Sequence, residues 1–348
     1  MRGLWRASRR HLFAGPWSTL ATLVLGLVLL RLAAGFFAWA VLEAHWSVPI
    51  GPEGPDTSVC RDQGGACWAV IGEKYRFILF GAYPYAEQWR PGLAVLLFVA
   101  LFGASANRRL WRPVLALVWA AVLAAILALM WGGFGGLPLV PQSQWGGLPL
   151  TLILSSFGCA LAFPLAVGVA LGRRAGRLPV LRLVCLLYVE LIRGVPLVAL
   201  LFMASVMFPL FLPEGLNPDK LLRAQVAIIL FAAAYLAEVI RGGLEAVPRG
   251  QQEAADALGL SWWQKMRLVV LPQALRLVVP PLVNTFTGLF KDTSLVLIIG
   301  LLDLLSAGKV AIAEPRWQSF GEEVYLMVGA IYFVFCFVAS RASRHLEA

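Results

Sequence analysis

Residues 241–277 read RGGLEAVPRGQQEAADALGLSWWQKMRLVVLPQALRL, and this polar stretch stands between two apolar segments, 224–240 and 278–303. The pattern predicts a helical loop outside a bilayer, with a membrane-spanning helix on either side of it. A loop of this length is longer than a simple connection between two helices requires. We therefore expect it to be a surface on which another protein docks.

The composition indicates a membrane protein. Hydrophobic residues make up 60% of the 348 residues and charged residues only 14%, and the mean hydropathy is +0.78. Because a helix of about twenty apolar residues crosses the core of a bilayer, we predict an all-α polytopic membrane protein with about eight spans. The predicted spans are 17–42, 92–107, 113–131, 149–171, 192–212, 224–240, 278–303 and 324–340.

The distribution of Lys and Arg predicts the orientation of these spans. Basic residues cluster in the N-terminal segment, in alternate loops and in the tail: Arg2, Arg6, Arg9, Arg10, Arg108, Arg109, Arg112, Arg173, Arg174, Arg177, Arg182, Arg241, Arg249, Lys265, Arg267, Arg276, Arg341 and Arg344. By contrast, 43–91 holds six acidic and four basic residues, and 132–148 holds no charge. Since basic loops stay in the cytoplasm, we expect both termini there. The net charge of +10 reflects this bias, so no nucleic-acid partner is predicted.

The motifs divide the chain into two parts. Residues 1–145 form an N-terminal extension with three spans and a periplasmic loop, 43–91, and residues 146–348 hold the other five spans. The periplasmic loop contains Cys60 and Cys67. In an oxidising compartment these two cysteines either form a short disulfide or remain free thiols, and the sequence leaves both alternatives open.

Turn residues predict two short helices within the polar loop. Pro248 suits the first turn of a helix, where its missing N–H would have no partner anyway, and Gly259 is placed to end that helix. Ser261 followed by Gln264 predicts a capping box that starts the second helix. Pro272 is expected to stop or kink that second helix before the next span.

The first of these helices has two interpretations. Ala254, Ala255 and Ala257 leave a face of low relief that a groove in a partner protein can approach closely. Alternatively, the loop lies in the headgroup region, with Trp262 and Trp263 as interfacial anchors. Spacing alone does not decide between the two.

Several motifs in order resemble a known family. Glu253-Ala254-Ala255, Gly259, Val269 and Leu271-Pro272 resemble the EAA loop of binding-protein-dependent ABC importer permeases. The segments 190–197 (ELIRGVPL), 235–243 (YLAEVIRGG) and 291–295 (KDTSL) resemble the polar amino acid uptake branch of that family. The long N-terminal extension is similar to that of the M-type permease of general L-amino-acid importers.

The resemblance implies a fold, a function and partners. It implies a type I ABC importer core of five helices in a bacterial inner membrane, which carries L-amino acids of broad specificity into the cytoplasm. A separate ATPase homodimer would bind ATP and Mg²⁺, so this chain needs no cofactor of its own. A second permease subunit, a periplasmic amino-acid-binding protein and membrane lipid would be the other partners. The residues implied in ATPase coupling, within the coupling loop 241–277, are Arg249, Glu253, Ala254, Ala255, Gly259, Leu271 and Pro272.

Charged residues inside a span mark a candidate substrate path, because burying them in lipid is costly. Lys291 and Asp292 fall near the middle of the seventh predicted span and match the carboxylate and ammonium of an amino acid. Asn284, Thr293 and Ser294 add neutral hydrogen-bonding groups. The alternative is that Lys291 and Asp292 pair with neighbouring helices and only hold the bundle together.

Other charged residues favour structural roles. Glu238 with Arg241, and Glu190 with Arg193, are spaced for ion pairs on one helix face. Gly194-Val195-Pro196 is expected to break the helix between them and the next apolar run. A structural role for these pairs is favoured over a gate at the inner mouth.

The sequence predicts a transport subunit without covalent chemistry. It shows no nucleophile, metal-ligand cluster or paired carboxylates, and Gly308-Lys309 lacks the preceding glycine and the following Ser or Thr of a P-loop. The alternative is a proton- or sodium-coupled transporter that works alone. A titrating relay inside the spans would favour it, yet His11, His45 and His345 all fall outside them.

Overall fold

The structure is a computed structural model that describes residues 12–51, 54–111, 113–176, 178–213, 215 and 218–347. The basic residues Arg2, Arg6, Arg9, Arg10, Arg112 and Arg177, together with His11, lie outside the described residues. In the described part of the chain, seven helices are long and apolar enough to span a membrane: Pro16–Leu42, Tyr85–Ser105, Val114–Trp131, Gly147–Gly172, Lys220–Ala246, Val279–Ile299 and Gly321–Arg344.

An eighth crossing is bent. The segments Pro179–Gly194 and Leu197–Phe211 meet at 102°, so they form either one broken span or a re-entrant pair. Val195, which precedes Pro196, is extended at φ −108° and ψ 132°, the conformation that a following proline imposes. The predicted break at Gly194-Val195-Pro196 is confirmed, and the described residues fit the prediction of about eight spans.

The helices and strands follow one another in this order. They are α1 (Pro16–Phe37, extended by a π turn, Ala38–Leu42), β1 (Ile50–Gly51), β2 (Gly54–Pro55), α2 (Ser58–Gln63), α3 (Ala69–Phe80), α4 (Trp89–Ser105), α5 (Pro113–Trp131), α6 (Gly147–Gly172), α7 (Pro179–Gly194), α8 (Leu197–Phe202), α9 (Lys220–Ala246), α10 (Arg249–Ala257), α11 (Trp262–Lys265), α12 (Leu271–Leu277), α13 (Val279–Asp292), β3 (Leu302–Asp303), α14 (Leu304–Ala311) and α15 (Gly321–Glu347). Short π and 3₁₀ turns join several of them.

One compact unit holds residues 12–75 and 312–324. In this unit β1 and β2, each two residues long, pair antiparallel, and a disulfide joins Cys60 to Cys67. The buried Glu323 side chain accepts a hydrogen bond of 2.7 Å from the backbone N–H of Cys67. The outer loop therefore folds onto a segment that lies about 250 residues further along the chain.

The second compact unit holds residues 76–311 and 325–347. Its centre is the packing of α6 against α9, where Ala232, Ala233 and Ala237 are buried. Small residues let membrane helices approach closely, and such packing replaces the hydrophobic driving force that lipid does not supply. These two units group the chain by contact, whereas the predicted division at residue 145 was drawn from motifs and stays a prediction.

Candidate functional site

The coupling helix α10 is closed at its C-terminal end by a Schellman motif. The Gly259 N–H donates to the Asp256 carbonyl at 2.9 Å, and the Leu260 N–H donates to the Ala255 carbonyl at 3.2 Å. Gly259 has φ +68°, a left-handed conformation that glycine adopts without strain. Gly259 therefore ends the helix as predicted, whereas Pro248 lies one residue before the first helical residue, not in the first turn.

The second helix of the loop begins at the predicted capping box. The Ser261 N–H donates to Gln264 Oε1 at 2.8 Å, and the Gln264 N–H donates to Ser261 Oγ at 3.4 Å. Lys265 Nζ donates to both carboxylate oxygens of Asp256, at 2.7 and 2.9 Å, and so ties α11 to α10. The loop is thus a pair of helices that the contact between Asp256 and Lys265 holds together.

Pro272 is accommodated by a change of helix type. Residues Met266–Val270 form a π turn directly before α12, which begins at Leu271 with Pro272 in its first turn. A proline ring clashes with the carbonyl four residues earlier in an α-helix, and a π turn removes that conflict. The helix is distorted at Pro272 but not stopped by it.

The predicted coupling residues do not all lie on the surface. Arg249, Glu253, Ala254, Gly259 and Pro272 are exposed, and Leu271 is half-buried. Ala255 is only 2% exposed and packs inside the loop, so the low-relief face consists of Ala254 and Ala257 without it. Leu258, which is 78% exposed, adds an apolar side chain that sequence reasoning missed.

The Glu238 carboxylate, beside the loop, lies within 4.0 Å of three arginines that belong to α7, to α9 and to the end of α6. Glu238 on α9 accepts hydrogen bonds from Arg241 Nε at 2.8 Å and from Arg173 Nη1 at 2.6 Å, and Arg193 Nη1 lies 4.0 Å away. The predicted pair of Glu238 with Arg241 is confirmed. The predicted pair of Glu190 with Arg193 is wrong, because Glu190 lies nearer to Arg173, at 3.9 Å, and Arg193 turns toward Glu238.

The predicted substrate-path residues do not share one face of their helix. Asn284 and Lys291 are exposed, Asp292 and Ser294 are half-buried, and Thr293 is buried at 1% exposure. Thr293 lies in a 3₁₀ turn and donates to the Phe290 carbonyl at 2.8 Å. Within the described part of the chain, neither Lys291 nor Asp292 makes an ion pair, so the predicted bundle-holding pairs are not formed there.

Sequence reasoning missed a second buried polar group, centred on Asp303. This side chain has no exposed surface, and it accepts backbone hydrogen bonds from Leu305 at 3.2 Å and Ser306 at 3.0 Å. Tyr332 Oη also donates to it, at 3.2 Å. An acidic residue directly before a helix is a capping signal, so the first two bonds were open to prediction and the third was not.

Comparison with known proteins identifies the family. Residues 162–348, more than half of the chain, match the model of the "Binding-protein-dependent transport system inner membrane component" family. The chain belongs to this family. It is therefore a multi-pass membrane component of a transport system that depends on a binding protein. Family membership does not favour the gradient-driven transporter that works alone.

Other members of this family are similar over almost the whole chain. The inner membrane amino-acid ABC transporter permease protein YhdY of Escherichia coli (strain K12) is 44% identical, and the alignment covers 97% of this chain and 91% of that protein. The glutamate/glutamine/aspartate/asparagine transport system permease protein BztC of Rhodobacter capsulatus is 36% identical, with 97% and 92% covered. Much of the N-terminal extension is thus shared with these permeases, although the family model begins after it.

A solved structure supports the fold of more than half of the chain. The crystal structure of an amino acid ABC transporter with histidines matches with a TM-score of 0.52 and 31% identity. The match covers 58% of this permease and 91% of that chain, so the known fold extends over about the length of the five C-terminal spans.

Proposed function

We propose that this permease is one subunit of an ATP-driven importer that moves L-amino acids from the periplasm to the cytoplasm. The observation that carries the proposal is the exposed coupling helix α10, which a Schellman motif closes and which is followed by α11 with its capping box. The names of two long relatives point to amino acids, and one names glutamate, glutamine, aspartate and asparagine. We infer a broad preference for polar L-amino acids and a cytoplasmic position for both termini.

The ATPase is the partner that α10 fits. Its exposed side combines the small residues Ala254 and Ala257 with Leu258 and the charged Glu253, which suits a groove with an apolar floor and a polar rim. ATP and Mg²⁺ bind to that ATPase dimer in this proposal, and this chain holds no cofactor. Leu271 and Pro272 act by holding the position of α12, the helix that connects the loop to the next span.

The exposed charge of Lys291 on α13 supports a second permease subunit. Lys291 is exposed in this single chain although it lies within a membrane-spanning helix. Because an unpaired charge facing lipid is costly, a partner subunit or a water-filled path has to cover it. A periplasmic binding protein would deliver the amino acid to that path from outside.

The path itself is proposed to run along α13. Lys291 would attract the carboxylate of the amino acid and Asp292 its ammonium, while Asn284 and Ser294 offer neutral hydrogen bonds. Thr293 belongs to the proposed path through its position in the chain, but it is buried and its hydroxyl already donates to the Phe290 carbonyl, so only its acceptor lone pairs are available. Exchange of Asp292 for Asn is expected to reduce uptake more than assembly.

Purification of the tagged chain in mild detergent, with every co-purifying protein identified, tests the proposal. We expect an ATPase and a second permease in fixed ratio. The Ala254→Arg variant should lose the ATPase, whereas Gly176→Arg, which adds the same charge to another exposed loop position with open space around it, should retain it. Equal ATPase recovery with both variants would rule out docking on α10. Recovery of the wild-type chain alone would overturn the importer.

A further inference from the structure

We propose that Glu238 is a positioning residue that ties the movement of the coupling helix α10 to the cytoplasmic ends of α6 and α7. The proposal rests on the proposed function, because it concerns how ATPase docking reaches the membrane helices. It assigns to one carboxylate on α9 the link between α10 and the two consecutive helices α6 and α7, which lie earlier in the sequence.

Both oxygens of the Glu238 carboxylate are in use, and they serve different helices. Oε1 accepts from Arg241 Nε at 2.8 Å and from Nη2 at 2.5 Å, within α9 itself. Oε2 accepts from Arg173 Nη1 at 2.6 Å, and Arg173 directly follows α6. One oxygen therefore fixes the rotamer of the side chain, and the other reaches across to the neighbouring helix.

The surrounding charges depend on this carboxylate. Arg193, in the last turn of α7, lies 4.0 Å from Oε2, and its guanidinium carbon lies 5.4 Å from the centre of the Tyr235 ring. Arg173 has only one other carboxylate in reach among the described residues, Glu190 at 3.9 Å. Without the charge of Glu238, three arginines would face each other across the ends of α6, α7 and α9 with less compensation.

Glu238 is also connected to the coupling helix. The end of α9 packs directly on α12 and on Val278, which follows it, because a side chain on Gly243 would overlap the Ala274 carbonyl oxygen and the Val278 side chain. Only Val247 and Pro248 separate the end of α9 from the start of α10. The loop and the last turns of α9 therefore move together. Glu238 transmits this movement to Arg173 and Arg193, which it contacts.

The position of Arg193 gives the link a functional consequence. It lies one residue before Gly194, where the helix bends by 102° into the segment Leu197–Phe211. A shift of α9 that pulls on Arg193 therefore acts at this bend. Motion of the ATPase would change the angle of a membrane-spanning segment through one ion cluster.

The test uses the complete complex, reconstituted in liposomes with its co-purified ATPase and binding protein, and tritiated L-glutamine as the probe. The measured quantity is the amount of L-glutamine taken up per ATP hydrolysed by intact complexes. We expect Glu238→Gln to lower this ratio about fivefold or more, in the range of typical coupling between sites. Arg174 Nη1 donates to the Leu244 carbonyl at 3.2 Å without involving Glu238, so we expect α6 and α9 to stay joined in this variant.

Glu245→Gln is the matched control. Glu245 lies on the same helix and pairs with Arg241 at 2.5 Å, but it contacts neither Arg173 nor Arg193. Its loss should leave the ratio within about twofold of wild type, as expected for an exposed pair. A normal ratio in Glu238→Gln, or an equal fall in both variants, would overturn the proposal.

Arg173→Gln decides the case if Glu238→Gln does not assemble. It removes the partner on the other helix and leaves the pair within α9 intact. A complex that assembles with a lowered ratio supports the proposal, and one that fails to assemble, or keeps a normal ratio, rejects it. Absence of uptake by the wild-type complex would instead reject the proposed function.

Discussion

The ring of Phe102 packs edge-on against the ring of Phe286, with 5.4 Å between their centroids and 63° between their planes. Phe102 lies on α4, in the N-terminal extension, whereas Phe286 lies on α13, which carries Lys291 and Asp292. The ring of Trp119 on α5 also packs near Phe102, with 6.0 Å between the ring centroids. The extension therefore braces the helix of the proposed substrate path, although the family model does not include it.

A double-mutant cycle measures this brace. Phe102→Ala and Phe286→Ala should each destabilise the chain, and their effects should be non-additive by about 0.5–1.5 kcal/mol, as for other aromatic pairs. Reversible unfolding in mixed micelles gives the free energies. Phe333 and Phe337 form the control pair, because their rings stack at 5.6 Å on the exposed side of a single helix. An interaction energy of zero between Phe102 and Phe286 would show that their contact does not stabilise the packing of α4 against α13.

Two glycines of α10 and its cap should respond to alanine in opposite ways. Gly259 has φ +68° and no atom within 4 Å of the position that a Cβ would take, so Gly259→Ala adds backbone strain without a clash and should cost about 1 kcal/mol. Gly250 lies inside the helix with equally open space, so Gly250→Ala should stabilise it by up to about 1 kcal/mol.

Hydrogen exchange of peptides from residues 249–260 checks both changes. Faster exchange in Gly259→Ala and slower exchange in Gly250→Ala are expected, with no change in the distant spans. The same direction of change in both variants would show that the left-handed cap does not govern the stability of the coupling helix.

The local features of this fold were predictable because each depends on a few neighbouring residues. Gly259 ends a helix, Ser261 and Gln264 form a capping box, and Pro196 forces the preceding residue to be extended. Each of these signals acts within one turn of the chain. The end of α10, the start of α11 and the break after α7 therefore followed from the sequence, whereas the start of α10 differed by one residue from the prediction.

The long-range contacts carry no such signal. Nothing local distinguishes Arg173 as the partner of Glu238, 65 residues away, from the other arginines in the basic loops. Nor does spacing show that Ala255 faces inward while Ala254 faces outward, because a short polar helix with several alanines has no clear apolar face. Which groups meet across the bundle is decided by tertiary packing, and only the structure supplies that.

The disulfide between Cys60 and Cys67 should stabilise the unit formed by residues 12–75 and 312–324. It closes a segment with a separation of seven residues, for which chain entropy predicts about 2–3 kcal/mol. The Cys60→Ser/Cys67→Ser variant should be cleaved faster by an external protease between residues 43 and 75. A thiol reagent should leave both cysteines unlabelled before reduction, and labelling of both without reductant would refute the bond.

Acid should weaken the contact between Lys74 and Glu314. The hydrogen bond from Lys74 Nζ, at 2.7 Å, holds the pKa of Glu314 below its usual 4.5. A lowered folded-state pKa means that the stabilisation is present above pH 4.5 and is lost as the pH falls through the lowered value.

The effect should be small, about a few tenths of a kcal/mol, because the pair is partly exposed to solvent. Hydrogen exchange of peptides from 312–324 should be slower in wild type than in Glu314→Gln near neutral pH. The difference should vanish in strong acid, where the protonated Glu314 is as neutral as the glutamine that replaces it. A difference that grows as the pH falls would contradict the sign of this contribution.

Arg90 should be essential for the junction between α4 and α5. Its side chain has no exposed surface and donates to three carbonyls near the C-terminal end of α5, those of Leu129 at 2.6 Å, Pro138 at 2.8 Å and Met130 at 3.3 Å. Helix C-termini leave carbonyls without intrahelical partners, and one guanidinium binds two of them here, those of Leu129 and Met130, together with the Pro138 carbonyl of the segment that follows α5.

Removal of this group should be costly, because the carbonyls of Leu129 and Pro138 lose the donor that the structure gives them, whereas the Met130 carbonyl keeps the Tyr83 hydroxyl at 2.9 Å. We expect Arg90→Ala to lower the free energy of unfolding by about 3 kcal/mol or more, and Arg90→Lys to recover only part of that, since an ammonium cannot match the planar fork. The exposed Arg109→Ala is the control and should change it by less than about 0.5 kcal/mol. Unfolding of the three variants in mixed micelles ranks them, and equal stability of Arg90→Ala and Arg109→Ala would show that the three carbonyls find other donors.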